Sequence, residues 1–365
     1  MKFSLTGQDR ALDILKGLLR TKRIPPALLF YGPDGTGKFR AATEFARILN
    51  CTGIPHAEKK SPAPKPQPGP DEGLLLFAAQ PEKAETEKLP PPPAPKKIKL
   101  PPDEYCGACD SCLQISKGAH PDIRVIDTAF QSALLEEDRE SENIKIDTVR
   151  ELIRWADRKP MLSEYKVFII RDAHKLTDEA QNALLKTLEA PAPGTIIILT
   201  ASKKNAMLST VLSRCCPVEF SPLTKTSVKN ILVANGAEPS AASRAASLAN
   251  GSVQQAKDIE IFLERLQKCD SGDGTRIFKF AAQLPRDSHK ARAEVKTMLD
   301  IVLEKQRAEW SRCGNGEEKK YSELISKTLE LRRMLNSNVS YARVLQSALL
   351  ESEAAGLTVE KIFGE

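Results

Sequence analysis

Two groups of residues have types and spacings that could do chemistry. The first runs from Gly32 through Gly35 and Gly37 to Lys38, a Gly-x-x-x-x-Gly-Lys pattern. Glycines at these places let backbone N–H groups turn toward a phosphate, and the lysine adds charge where a helix begins. Phosphoryl transfer also needs Mg²⁺, held by a loop Ser or Thr and by an acid after a later apolar strand. Here Phe39 stands at the hydroxyl position, and in "VFIIRDAH" Arg171 and Asp172 stand where an acidic pair belongs. Arg171 sets a cation against a cation: two unit charges about 4 Å apart interact by roughly 4 kcal/mol at an effective dielectric of 20. These residues predict a degenerate phosphate loop that does not use ATP and Mg²⁺ for hydrolysis. Sliding the register by one residue makes Asp172 the metal ligand instead, with Phe39 still unaccounted for.

The second group is Cys106, Cys109 and Cys112 in "CGACDSC", with Cys51 behind the helix that follows the glycine loop. Thiols at this spacing suit a tetrahedral Zn²⁺, and four leave no open position, so the metal would be structural. The long stretch between Cys51 and Cys106 is no obstacle, since doubling a loop costs only about 0.6 kcal/mol. The alternative is four reduced, unligated thiols. Cys215, Cys216, Cys269 and Cys313 lack such spacing and read as core or surface thiols. His120 lies close to the cysteines in sequence, but no histidine has a companion at metal spacing.

The elements that must position these groups can be read from patterning. Apolar runs at 27–31, 123–127, 166–172, 195–201 and 217–220 read as strands, alternating with helical stretches at 41–50, 148–158 and 177–190. Thr148 and Thr177 are candidate helix caps. Strands alternating with helices predict a parallel sheet covered on both faces. After Pro222 only helical patterns follow. The expected architecture is α/β plus all-α: a phosphate-loop core with an inserted zinc module over 1–222, a small helical lid over 223–268 and a helical domain over 269–365. Fourteen of the 25 prolines fall between Pro55 and Pro102, so 53–103 reads as an insert without regular hydrogen bonding. Within it "LLLFAAQ", from Leu74, is an apolar island: chance, or a docking motif.

Composition narrows the class. The chain has 365 residues, 41% hydrophobic, with a net charge of +6, which describes an ordinary folded protein and permits nucleic-acid contact without arguing for it. No apolar run reaches the roughly 18 residues of a membrane span, the opening residues lack an export signal, and the cysteine usage suits a reducing compartment. A cytoplasmic location without membrane contact is expected.

With these residues in hand, the chain resembles the bacterial clamp-loader subunits of the AAA+ class over nearly its whole length outside the insert. The resemblance is carried by "GQDRALDILKGLLRTKRIPPALLFYGPDGTGK", the four-cysteine module, "LTDEAQNALLKTLEAP", "STVLSRCCPVEFSPL" and "LRRMLNSNVSYARVLQSALL". It implies an AAA+ sheet and a C-terminal collar domain for ring formation. It also implies gamma/tau and delta subunits as partners and, through the complex, a beta sliding clamp and primer-template DNA. The arginine of the family's Ser-Arg-Cys motif, here Ser213, Arg214 and Cys215, serves in trans as an arginine finger for ATP on a neighbouring gamma/tau. From the residues alone Arg214 could equally be a solvated arginine. Phe39, Arg171, and Gln254 where active members carry a nucleotide-sensing arginine imply a member that does not hydrolyse ATP. An unusual gamma/tau-like ATPase and a stand-alone zinc-containing DNA-binding module are the rival readings.

Overall fold

The continuous apolar runs become five short strands. They are β1 (Ala27–Tyr31), β2 (Ile123–Ile126), β3 (Lys166–Ile170), β4 (Thr195–Ala201) and β5 (Cys216–Glu219). In this computed structural model, which describes residues 3, 5–53, 103–136, 141–268, 276–285, 288–313, 317–335, 337 and 339–363, they form one parallel sheet ordered β2-β3-β4-β1-β5. The pairing of Ala27 with Ile197 through Tyr31 with Ala201 sets β1 beside β4. β3 lies on the other side of β4. The carboxyl ends of β1, β4 and β3 are therefore neighbours, the usual place for a ligand in an open α/β sheet.

Both faces of the sheet are buried, which explains why the strands read as unbroken apolar runs rather than alternating ones. Leu28, Phe30, Val167, Ile169, Ile196 and Ile198 pack into one apolar cluster with α1 (Asp9–Thr21), α2 (Lys38–Leu49) and α3 (Asp110–Ser116). Their strand neighbours, such as Leu29, Phe168, Ile197 and Leu199, pack into another. That cluster includes side chains from α5 (Ile146–Ala156), α6 (Asp178–Glu189) and α7 (Ser209–Leu212). Between β2 and α5, α4 (Thr128–Leu135) is capped by Asp127, whose carboxylate accepts from Phe130 N at 2.8 Å. Asp127 thus ends the strand pattern early because it starts a helix.

Thr177 is the N-cap of α6, its hydroxyl accepting from Ala180 N at 3.3 Å. Thr148 is not a cap. It lies inside α5, fully buried, and donates to Gln131 Oε1 at 3.0 Å, while Lys145 holds the cap position. A threonine near a helix start carries the same local signal in both roles, and burial separates them.

Beyond β5 the described residues are helical: α8 (Lys225–Ala234), α9 (Pro239–Leu248), α10 (Val253–Lys268), α11 (Arg276–Ala281), α12 (Ser288–Arg312), α13 (Glu318–Met334), α14 (Tyr341–Ala354) and α15 (Val359–Phe363). One apolar cluster runs from Leu223 to Phe363 and includes side chains on both sides of the boundary expected near 268, among them Phe262, Phe280 and Phe363. The ring centroids of Phe262 and Phe363 are 4.5 Å apart. No helix among the described residues is long and apolar enough to cross a membrane. Cys269 and most of the proline-rich insert, including the island from Leu74, lie outside the described residues.

Candidate functional site: a phosphate loop and a cysteine corner

β1 ends at Tyr31 and the chain turns sharply into α2. Gly32, at φ 145°, is forced to be glycine: a Cβ there would sit 2.0 Å from Phe220 O. Gly35, at φ 74°, is pressed just as closely by the residues ahead of α10, with Ser252 Oγ 2.2 Å from where its Cβ would lie. Val253 N donates to Gly35 O at 3.1 Å, so the helical region rests directly on the phosphate loop.

Lys38 is buried and turned back into the loop. Its Nζ donates to Gly32 O at 2.5 Å and Pro33 O at 2.6 Å, with the Asp34 carboxylate at 3.4 Å. Burial pushes its pKa below the ordinary lysine value, and Asp34 partly opposes this. Its ion-pair partner is thus Asp34, in the same loop. Asp172, in the left-handed region at φ 52°, instead faces Lys175 at 3.9 Å and donates its N–H to Thr200 Oγ1 at 3.1 Å.

Gly35, Gly37, Lys38, Phe39, Arg171 and Gln254 all border one cavity of about 350 Å³, and Asp172 does too. Phe39 and Arg171, the two departures from the metal-binding pattern, touch each other: the guanidinium carbon lies 5.1 Å from the ring centroid. This cation–π contact joins the two residues standing at the positions where the sequence pattern expects metal ligands. The far wall of the cavity, with Leu5, Leu223, Ile231 and Val253, is apolar. Sequence reasoning missed that wall and Thr200, though a threonine near the end of a strand beside the loop was a usable signal. Gln254 donates to Asp258 at 3.1 Å.

Arg214 lies away from this cavity, in the turn after α7. Its Nε and Nη2 each lie 3.3 Å from Glu189 Oε2, and Nη1 donates to Thr210 O at 3.0 Å. The side chain is 33% exposed.

At the other end of α2 the four predicted cysteines come together, all their sulfurs within 4.8 Å of one another. Cys51 Sγ is 3.6 Å from Cys106 Sγ, which is 4.0 Å from Cys112 Sγ. Tetrahedral Zn–S bonds of about 2.3 Å place sulfurs about 3.8 Å apart, so the donor set fits this ion. Backbone N–H groups of Cys106, Cys109 and Cys112 point at Cys51, Cys106 and Cys109 Sγ at 3.3, 3.2 and 3.4 Å. Burial alone would raise the pKa of Cys109. The N–H of Cys112 and hydrogen bonds from Thr52 outweigh it and bring the thiol down to about 6. Cys112, by contrast, is pushed up by burial and by its hydrogen bond to Cys109.

His120 is not part of this corner. It is buried, with Nε2 3.1 Å from both Ser111 Oγ and Ser163 Oγ, and Nδ1 accepting from Asp122 N. Burial lowers its pKa. Cys215 is buried and its thiol is pushed up to about 12 by burial, while Cys216 and Cys313 are half-buried.

This sheet, loop and helical continuation define an AAA+-like phosphate-loop fold. The solved structure of a DNA polymerase III gamma subunit-related protein from Thermotoga maritima matches it with a TM-score of 0.52 at 16% identity, over 94% of this chain and 99% of that one. The family described as "DNA polymerase III, delta subunit" matches residues 98–224. The chain is 29% identical to the DNA polymerase III subunit tau of Bacillus subtilis over 61% of its length, and 25% identical to the delta' subunit of that organism over 67%. Escherichia coli tau is 27% identical over 74%. The chain spans 30%, 56% and 33% of those three relatives. Its homologues are thus DNA polymerase III subunits of the clamp-loader kind, tau/gamma and delta' alike.

Proposed function

We propose that the chain is a delta-prime-type subunit of a DNA polymerase III clamp loader, one that binds its neighbours in a ring and does not hydrolyse ATP. The observation that carries this reading is the contact between Arg171 and Phe39. Both protein ligands that a phosphate-loop NTPase gives to Mg²⁺ are replaced, and the replacements pack on each other. Lys38 is already satisfied by loop carbonyls, so the loop holds its shape without a triphosphate.

In this reading Arg214 acts on a neighbour. It would leave Glu189 for the γ-phosphate of ATP held by an adjacent gamma/tau subunit, where an arginine finger is worth about 10³–10⁵ in rate. Cys51, Cys106, Cys109 and Cys112 would hold a structural Zn²⁺, which supplies folding energy to the module and no reactive position. The C-terminal helices would form the collar contact with gamma/tau and delta subunits. The assembly would act in the cytoplasm, opening the beta sliding clamp onto primed DNA.

The test is nucleotide binding and turnover by the purified chain, with and without Mg²⁺. No turnover, and no gain in affinity from Mg²⁺, is expected. Turnover that is lost in Lys38→Ala would overturn the reading. In a reconstituted loader, Arg214→Ala is expected to leave assembly intact and to lower ATP turnover at the adjoining site by about 10³-fold. One observation favours a second reading as a gamma/tau-like ATPase: Asp172 borders the cavity and could still serve as a metal ligand.

A further inference from the structure

A second concavity, of about 560 Å³, lies between α2, α3 and β2 and shares only Phe39 with the phosphate-loop cavity. That volume falls in the range of about 300–1,000 Å³ that suits a small organic molecule. Its base is apolar: Ile115, Ile123 and Ile169 are buried, and Val125 and Phe130 are half-buried. No carboxylate among the described residues lines it, and its two permanent charges are Arg47 and Arg124. Its other polar side chains are already committed. Thr43 Oγ1 donates to Phe39 O at 3.0 Å and Ser116 Oγ to Leu113 O at 2.7 Å, each within its own helix. His120 is held between Ser111 and Ser163.

The two arginines are oriented but not neutralised. The Arg124 guanidinium carbon lies 4.0 Å from the Trp155 ring centroid, and that of Arg47 lies 5.1 Å from the Tyr105 ring centroid. A ring against the face of a guanidinium leaves its in-plane N–H groups for an acceptor. Arg47 donates one of them to Tyr105 Oη at 3.4 Å. Neither arginine has an ion-pair partner among the described residues, and Arg47 Nε is buried without a hydrogen-bond partner among them. A partly buried cation lacking a counter-charge is unfavourable until one is supplied. A planar carboxylate matches the guanidinium fork, and an apolar body attached to it would cover the base. An inorganic anion would leave that base bare. A neutral apolar molecule would leave both charges uncompensated.

We propose that this groove binds a small organic carboxylate with an apolar body, its carboxylate paired with Arg47 and Arg124 and its body on the isoleucines beneath. The inference stands apart from the nucleotide reading, since neither arginine borders the phosphate-loop cavity. The test is calorimetric titration of the full chain with naphthylacetate, and with naphthylacetamide as its neutral isostere. One-to-one binding of the carboxylate is expected, with the amide about 10-fold weaker or worse, because the charge-assisted pairing is lost. Arg124→Glu is expected to weaken the carboxylate about 10-fold or more and to favour naphthylmethylammonium over it. Arg124 is exposed, so this variant keeps its fold, which circular dichroism checks. Lys257→Glu, which reverses an exposed charge at the phosphate-loop cavity, is expected to leave the affinity unchanged. No saturable binding, equal affinity for carboxylate and amide, indifference to Arg124→Glu, or loss of binding in Lys257→Glu would each overturn the assignment.

Discussion

The two ends of α2 carry two candidate ligand sites, and they have opposite inventories. At its carboxyl end four thiols converge within a few ångströms, with N–H groups aimed at three of the sulfurs. At its amino end the glycine loop and its lysine border a cavity in which the Phe39 ring and the Arg171 guanidinium pack on each other. The difference teaches that a loop's shape and its chemistry are separable. Lys38 bonds two loop carbonyls and Gly32 admits the close approach of Phe220 O, so the turn has structural reasons to survive without a ligand. The cysteine corner also has packing roles, since Cys109 caps α3 and, with Cys112, is buried in the apolar cluster around α2, so only loss of metal separates the two contributions.

That contrast can be broken most severely at the cysteines. Cys109→Ser is expected to release the metal and destabilise the protein on the order of 5 kcal/mol or more, since structural zinc sites contribute about 10–16 kcal/mol. Metal content and urea unfolding together check this. Full stability in metal-free protein would show the corner to be apolar packing only.

At the other end, Lys38→Ala is expected to cost about 2 kcal/mol, because two loop carbonyls lose their donor. If the lysine serves only an absent ligand, unfolding curves of variant and wild type will coincide. Restoring ligands with Phe39→Ser together with Arg171→Asp is expected to make nucleotide binding Mg²⁺-dependent and about 10-fold tighter, roughly 1.4 kcal/mol. Calorimetric titration with and without the ion decides it. The smallest effect belongs to Arg171→Ala, expected to cost about 0.5–1 kcal/mol, as an exposed cation–π pair should.

Much of this arrangement was legible because it is local. Unbroken apolar runs gave the strands, since both faces of the sheet are covered, and cysteine spacing gave the metal-like corner. What was not legible depends on contacts distant in sequence. Phe39 and Arg171 each looked like an isolated loss, and only folding shows them as one contact. Arg214 is exposed, as one reading of the residues alone allowed, and only folding shows its ion pair with Glu189 at the end of α6. His120 looked like a neighbour of the cysteines and is instead a buried bridge between Ser111 and Ser163. Asp122, unremarked in sequence, accepts the N–H groups of Met161, Leu162 and Ser163 at 2.6, 2.7 and 2.9 Å. Burial opposes its ionisation, and these three donors outweigh burial and hold its pKa below the usual carboxylate range.

The unbroken apolar cluster from Leu223 to Phe363 has a mechanical corollary. Helices that share one interior cannot tilt independently without opening voids. The described helices that contribute to this cluster are expected to move together, and Val253 N ties them to Gly35 O of the phosphate loop. A disturbance of one loop glycine would then be felt as displacement at the far helices.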